Sequence, residues 1–76
     1  MSSVVLLKAQ LLGHGRDAAC DVLAWQNEPG SEFAYRQFRV IDAPGDLPDG
    51  DYTITFEGRS YSTRKQQGQW AMQKVS

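Results

Sequence analysis

The residues that could do acid–base or nucleophilic chemistry in this sequence are few and stand apart. His14 is the single histidine, lies between two glycines, and has Asp17 as its nearest acidic neighbour. Cys20 is the single cysteine, and its nearest cation in the sequence is Arg16. A general base needs a group that orients it, and a reactive cysteine needs an electropositive setting. We therefore interpret His14 as a turn residue and Cys20 as a small buried side chain, and we expect no enzymatic activity.

Three acidic residues in one loop are the only pattern that suggests a metal. Asp46, Asp49 and Asp51 lie within a segment rich in proline and glycine. A calcium loop needs more oxygen ligands, with a glutamate at a set distance, and that spacing is absent. Asp49-Gly50 is instead typical of a turn. We therefore predict neither a bound metal nor a cofactor.

Basic and aromatic residues alternate in the chain from Tyr35 onwards. The segment 59–76 carries a charge of +4, whereas 43–58 carries −4. A sheet face that offers cations to phosphates and rings to bases is typical of small barrels that bind single-stranded nucleic acid. Alternatively, the same rings could form the core, with the cations on an ordinary solvated face. The net charge of −1 is also not typical of a nucleic-acid-binding protein. The candidate contacts are Arg36, Arg39, Arg59, Arg64, Lys65, Tyr35, Tyr61 and Trp70.

The elements that would position these residues are clearest between Leu47 and Met72. Tyr52, Ile54 and Phe56 alternate with polar residues, which predicts a strand with one apolar face. Glycine tolerates the positive φ that a tight hairpin turn requires, so two X-Gly pairs predict turns. The predicted meander consists of this strand, a turn at Glu57-Gly58, a strand from Arg59 to Lys65, a turn at Gln67-Gly68, and a last strand through Trp70, Met72 and Val75.

The first half of the chain predicts two further strands and leaves one segment ambiguous. Ser2 to Leu12 is expected to be a strand whose core face carries Val5, Leu7, Ala9 and Leu11. The segment 18–26 fits a strand, but a short helix with Ala18, Val22 and Trp25 on one face is an alternative. We favour the strand because it forms a hairpin with the first strand across a glycine-rich turn.

A third strand is expected from Phe33 to Ile41, with Tyr35 and Gln37 on the face opposite to Phe38 and Val40. Five or six short strands separated by turns predict an all-β chain. The 76 residues are expected to form one domain, a small antiparallel sheet or barrel of SH3-like or OB-like size.

The non-core face of the first two strands is unusually apolar. Val4, Leu6, Leu23 and Trp25 would share it, together with Leu12. Either the hairpin bends so that this face is covered within a barrel, or the face binds another protein. We predict a self-association or protein-interaction surface formed by Val4, Leu6, Leu23 and Trp25.

Size and composition restrict the remaining possibilities. The N-terminal run Val4–Leu7 is too short to span a bilayer and lacks the features of a signal peptide. A lone cysteine fits a reducing compartment, so we expect a cytoplasmic protein without a membrane partner. In size and type the chain resembles accessory proteins of phages and mobile elements. We therefore predict a small binding module that forms homo-oligomers, with single-stranded nucleic-acid binding as the alternative function.

Overall fold

A computed structural model describes residues 3–75 and shows an antiparallel sheet of seven strands, with no helix in this range. The described chain thus has no helix that is long and apolar enough to cross a membrane. The all-β prediction is confirmed. The strands are β1 (Val4–Gly13), β2 (Arg16–Gln26), β3 (Tyr35–Asp42), β4 (Gly50–Phe56), β5 (Arg59–Gln66), β6 (Gln69–Trp70) and β7 (Gln73–Lys74).

The sheet is built around the β1–β2 hairpin and curls into a half-barrel. Its order is β6-β5-β4-β1-β2-β3-β7, so β1 continues into the β4–β5–β6 meander and β2 continues into β3 and β7. The terminal strands β6 and β7 are joined by only Ala71 and Met72, which brings the two ends of the sheet together. Arg39 Nε on β3 donates a hydrogen bond of 3.2 Å to the Trp70 carbonyl at this seam.

Three turns of the same type connect the hairpins. Each has two central residues with positive φ, the conformation of a type I′ turn, whose twist matches that of the flanking strands. Glycine occupies the second position in every case because it accepts positive φ without a Cβ clash. The turns are His14-Gly15, Glu57-Gly58 and Gln67-Gly68, and the last two confirm the predicted meander.

The core lies on the concave face of the sheet. Its most buried side chains include Leu11, Val22, Phe38 and Ile54, each at most 1% exposed. The predicted core face of the first strand is confirmed, although only Ala9 and Leu11 are fully buried. The preference for a strand at 18–26 is also confirmed, and the helical alternative is wrong.

Strand β3 departs from the simple alternation that we predicted. Its register against β2 slips twice, so that Arg36 and Ile41 are extra residues without partners on β2. Such bulges turn the residues beyond them to the opposite face. Tyr35 therefore lies in the core beside Phe38 and Val40, which corrects its predicted placement on the other face.

The predicted last strand is also corrected. The chain breaks after Trp70, and β7 pairs with β3 rather than with the meander. Met72 lies between the two short strands and is 44% exposed, so it is not a strand residue. This break raises the strand number above the predicted five or six. The start predicted at Ser2 lies outside the described residues.

Candidate self-association surface

The outer face of the β1–β2 hairpin presents two apolar cross-strand pairs. Val4 faces Trp25 and Leu6 faces Leu23 in the β1–β2 register. Leu6 is 60% exposed and Val4 is 46% exposed, whereas Leu23 and Trp25 are half-buried. We call these four residues the hairpin patch. The structure brings all four predicted interface residues together on one face, where Val4 and Leu6 are exposed and Leu23 and Trp25 are partly covered.

The hairpin patch arises directly from alternation in the two strands. Even-numbered residues of β1 face outwards, because odd-numbered residues such as Ala9 and Leu11 fill the core. In β2 the odd-numbered residues share the outer face, because Val22 and Ala24 are buried. An apolar residue at an outer position is therefore left in contact with water.

Polar residues border the hairpin patch in two places. One border lies on the hairpin itself, towards its turn, and the other lies on β3. Lys8 Nζ lies 2.8 Å from an Asp21 carboxylate oxygen, one row further along the hairpin. The hydrogen bond and the charge of Asp21 raise the pKa of Lys8 above its usual value. On the β3 side, Arg39 faces Leu23 and Gln37 faces Trp25. Leu12, also 46% exposed, faces Asp17 beyond this border and is not part of the patch.

The proposed nucleic-acid contacts do not form one surface. Tyr35 is 8% exposed and Lys65 is 6% exposed, so neither presents a ring or a cation to solvent. Lys65 Nζ instead donates a 2.7 Å hydrogen bond to the Leu47 carbonyl. The Tyr61 ring packs in an aromatic cluster, 5.4 Å from Phe38 and 4.9 Å from Phe56 between ring centroids. These three residues therefore serve the core, which corrects their predicted role as surface contacts.

The exposed cations of that set are spread over the molecule. Arg59 lies over the Phe33 ring, with its guanidinium carbon 5.1 Å from the ring centroid. Arg64 forms an ion pair of 3.2 Å with Asp51. Arg36 is exposed on β3, where its carbonyl accepts a hydrogen bond from Val75 N.

Hydrogen bonds to residues of β3 and β5 fix the seam between β6 and β7. Arg39 donates to the Trp70 carbonyl from one side. The Arg64 carbonyl accepts a 3.0 Å hydrogen bond from Ala71 N on the other side. Trp70 itself is half-buried, with its ring centroid 5.2 Å from that of Tyr52.

The acidic loop residues each have a separate partner. Asp46 accepts hydrogen bonds from Arg16, which lower the pKa of the carboxyl below its usual value. Asp49 accepts backbone hydrogen bonds from the turn residues Gln67 and Gly68. Asp51 pairs with Arg64. These carboxylates thus stabilise loops and turns, and they do not converge on a common point.

His14 and Cys20 lie in different environments. His14 is exposed in its turn and its ring packs 4.9 Å from the Tyr52 ring. Cys20 is 5% exposed, and burial together with the charges of Asp21 and Asp42 raises its pKa to about 11. A thiol with this pKa remains protonated near neutral pH and is a poor nucleophile.

Two features of this surface were not predicted from the sequence. They are the Lys8–Asp21 pair at the border of the patch and the short pairing of β1 with β4. Lys8 and Asp21 could have been paired from the predicted hairpin, because the turn at His14-Gly15 sets the register. The short pairing of β1 with β4, which involves only Gln10, Leu11 and Leu12 of β1, has no signal in the sequence. No protein-family model, curated protein or solved structure matches this chain.

Proposed function

We propose that this protein is a non-enzymatic interaction module that self-associates through the hairpin patch. The observation that carries the proposal is the exposure of Leu6, at 60%, within two facing apolar pairs on a regular strand hairpin. Single exposed apolar residues are ordinary, but contiguous ones surrounded by polar residues mark interaction sites. The patch has this arrangement, with Lys8, Asp21 and Arg39 at its border.

The physical reason for self-association is the free energy of removing apolar surface from water, about 25 cal/mol per Å². Two copies that bring their hairpin patches together remove part of this apolar surface from water, and symmetric dimers are the commonest oligomers. Since the sole cysteine is a buried thiol, the proposal places the protein in a reducing compartment such as the cytoplasm.

The test compares two glutamate substitutions on the outer face of the sheet. Leu6→Glu places a charge in the middle of the hairpin patch, and it should weaken association by at least about tenfold while the protein stays folded. Ser62→Glu places the same charge at an exposed position of β5 and should associate like the wild type. Light scattering after size-exclusion chromatography measures the mass, and circular dichroism checks the fold.

Two results would count against this surface. Leu6→Glu protein that keeps the wild-type mass would show that association, if present, uses another face. Wild-type protein that is monomeric at millimolar concentration would remove the self-association proposal. Trp25→Glu is a weaker test than Leu6→Glu, because Trp25 is half-buried and its loss also removes packing.

The seam between β6 and β7 favours a second candidate function, the binding of single-stranded nucleic acid. Arg39 and Arg64 lie on strands that approach Trp70 and Ala71 from two sides. The Arg39 guanidinium beside the half-buried Trp70 would contact a phosphate while the indole stacks on a base. This candidate is weaker because Arg64 already pairs with Asp51.

Fluorescence anisotropy with labelled single-stranded DNA, duplex DNA and RNA tests this candidate at low and moderate salt. Binding through the seam should weaken steeply with salt, because phosphate contacts release counterions. Arg39→Glu combined with Arg64→Glu should then abolish it, whereas Arg59→Glu, at a position stacked on Phe33, should not. Lys65 is unsuitable for this test since it is buried. Absence of binding at low salt would rule out the candidate.

A further inference from the structure

Among the described residues, the N-terminal half of β1 has a strand neighbour on only one side. Its partner β2 pairs with it along its whole length, from Val4 to Gly13. On the other side, β4 pairs only with Gln10, Leu11 and Leu12. Within residues 3–75, no strand and no other backbone hydrogen bond occupies the β4-side edge of β1 from Val4 to Lys8. An edge of this kind is a template for another strand.

The register shows which backbone groups point along this edge. Gln26 N donates to the Ser3 carbonyl, so Ser3 directs its backbone groups towards β2. Residues of an antiparallel strand alternate between groups that point to one neighbour and groups that point to the other. The N–H and C=O groups of Val4, Leu6 and Lys8 therefore point away from β2, towards the open edge.

The open edge and the hairpin patch meet in the same residues. Val4 and Leu6 contribute both the exposed side chains of the patch and the outward backbone groups of the edge. A strand added here would extend the sheet and lie beside the apolar pairs. It would gain main-chain hydrogen bonds together with apolar contact.

We propose that the occupant of this edge is the same edge of a second copy, paired antiparallel across a two-fold axis at Leu6. The inference rests on the proposed self-association and specifies its geometry. Leu6 then faces the partner's Leu6, and Val4 faces the partner's Lys8. The third pair is Lys8 with the partner's Val4. Each of the three pairs exchanges two N–H···O=C bonds, which gives about six hydrogen bonds across the interface.

A second copy fits this edge because the outward backbone groups of Val4, Leu6 and Lys8 are symmetric about Leu6, and their pairing brings no like charges together. The only charged side chain on the segment is Lys8, and it is already paired with Asp21 at 2.8 Å in its own chain. The two-fold register places Lys8 opposite an apolar residue, so no like charges face each other. It also aligns Leu23, Leu6, the partner's Leu6 and the partner's Leu23 in one continuous row across the joined sheet.

Disulfide trapping tests the register. Directly opposed residues of a hydrogen-bonded pair have Cα atoms about 5.5 Å apart, within the range that a disulfide spans. Leu6→Cys should therefore form a covalent dimer rapidly in a glutathione redox buffer. Val4→Cys should not cross-link to itself, since the two copies of residue 4 lie about 13 Å apart along the strands. Val4→Cys mixed with Lys8→Cys should cross-link as a heterodimer.

Ser62→Cys, exposed on β5, is the matched control and should stay reduced. Cys20 can remain in every variant because it is buried. Hydrogen exchange of the wild type provides a second readout. The amides of Val4, Leu6 and Lys8 should exchange more than about tenfold slower at high protein concentration than at low concentration.

The outcomes separate this geometry from the proposed function. A protein that dimerises while Leu6→Cys reacts no faster than Ser62→Cys, and while the three amides exchange rapidly, would overturn the edge pairing and leave the self-association proposal standing. A protein that stays monomeric would overturn both. Rapid trapping of Leu6→Cys together with concentration-dependent protection of the three amides would support the edge pairing.

Discussion

The hydroxyl of Thr63 is a polar group buried in the core. Thr63 is 2% exposed, and its Oγ1 has no hydrogen-bond partner within the described residues. Burying a hydroxyl without a partner costs free energy, and valine has nearly the same shape without the polar atom. We expect Thr63→Val to raise the free energy of unfolding by about 1 kcal/mol, measured by urea denaturation.

Thr55→Val is the control for this prediction. Thr55 shares a 2.9 Å hydrogen bond with Ser60 on the outer face, so its substitution removes an existing interaction. It should leave stability unchanged or slightly lower. A Thr63→Val protein less stable than the wild type would show that its hydroxyl is satisfied in solution.

The burial of the Cys20 thiol makes the free energy of unfolding depend on pH in the alkaline range. Its pKa rises from an ordinary 9.0 to about 11, first through burial and then through Asp21 and Asp42. The unfolded chain therefore loses this proton at lower pH than the folded protein does. The stability contributed by the protonated thiol is complete below pH 9 and decreases as the pH rises towards 11.

Alkylation with iodoacetamide at pH 8 measures this protection. Folded protein should react far more slowly than protein in urea. Cys20→Ala should show a shallower loss of stability than the wild type between pH 9 and 11. Equal rates of alkylation for the folded and unfolded protein would contradict the buried position.

At the scale of the elements, the type I′ turns hold the hairpins in register. Gly58 has φ of 77°, a region that costs a residue with a Cβ about 1–2 kcal/mol. Gly58→Ala should therefore lower the free energy of unfolding by about that amount. Gly45 has no positive φ, and a methyl group added there would have no neighbour within 4 Å, so Gly45→Ala is the matched control. Equal losses in the two variants would contradict this account of the turn.

Strand alternation and turn chemistry made most of the fold predictable. Tyr52, Ile54 and Phe56 are all buried, as the period of two requires, and the turns at Gly58 and Gly68 follow from the φ that glycine accepts. The bulges of β3 were not predictable because an extra residue leaves no local mark in the sequence. Tyr35 was therefore assigned to the wrong face.

The residues of the hairpin patch could be predicted from the sequence, but whether they are exposed could not. The alternation places Leu6 and Leu23 on the outer face, yet coverage by another segment depends on tertiary packing. The burial of Lys65 could not be foreseen either. It depends on the Leu47 carbonyl, which the preceding loop brings to the amino group.

At the scale of the whole molecule, the protein is elongated and the β1–β2 hairpin contains its two longest strands. The principal dimensions are 37 × 21 × 18 Å, and β1 and β2 are the longest strands at 10 and 11 residues. Because β4 pairs with only three residues of β1, half of that strand has exposed apolar side chains and an edge that no strand of residues 3–75 occupies. Edge pairing of two copies would fill the open edge and bring the apolar side chains of the two copies into contact along one row.

The most direct test of this account is sedimentation equilibrium of the unmodified protein from about 1 µM to about 1 mM. Self-association predicts a weight-average mass that rises with concentration from the monomer mass of 8.5 kDa towards twice that value. A mass that remains at 8.5 kDa over the whole range would contradict it.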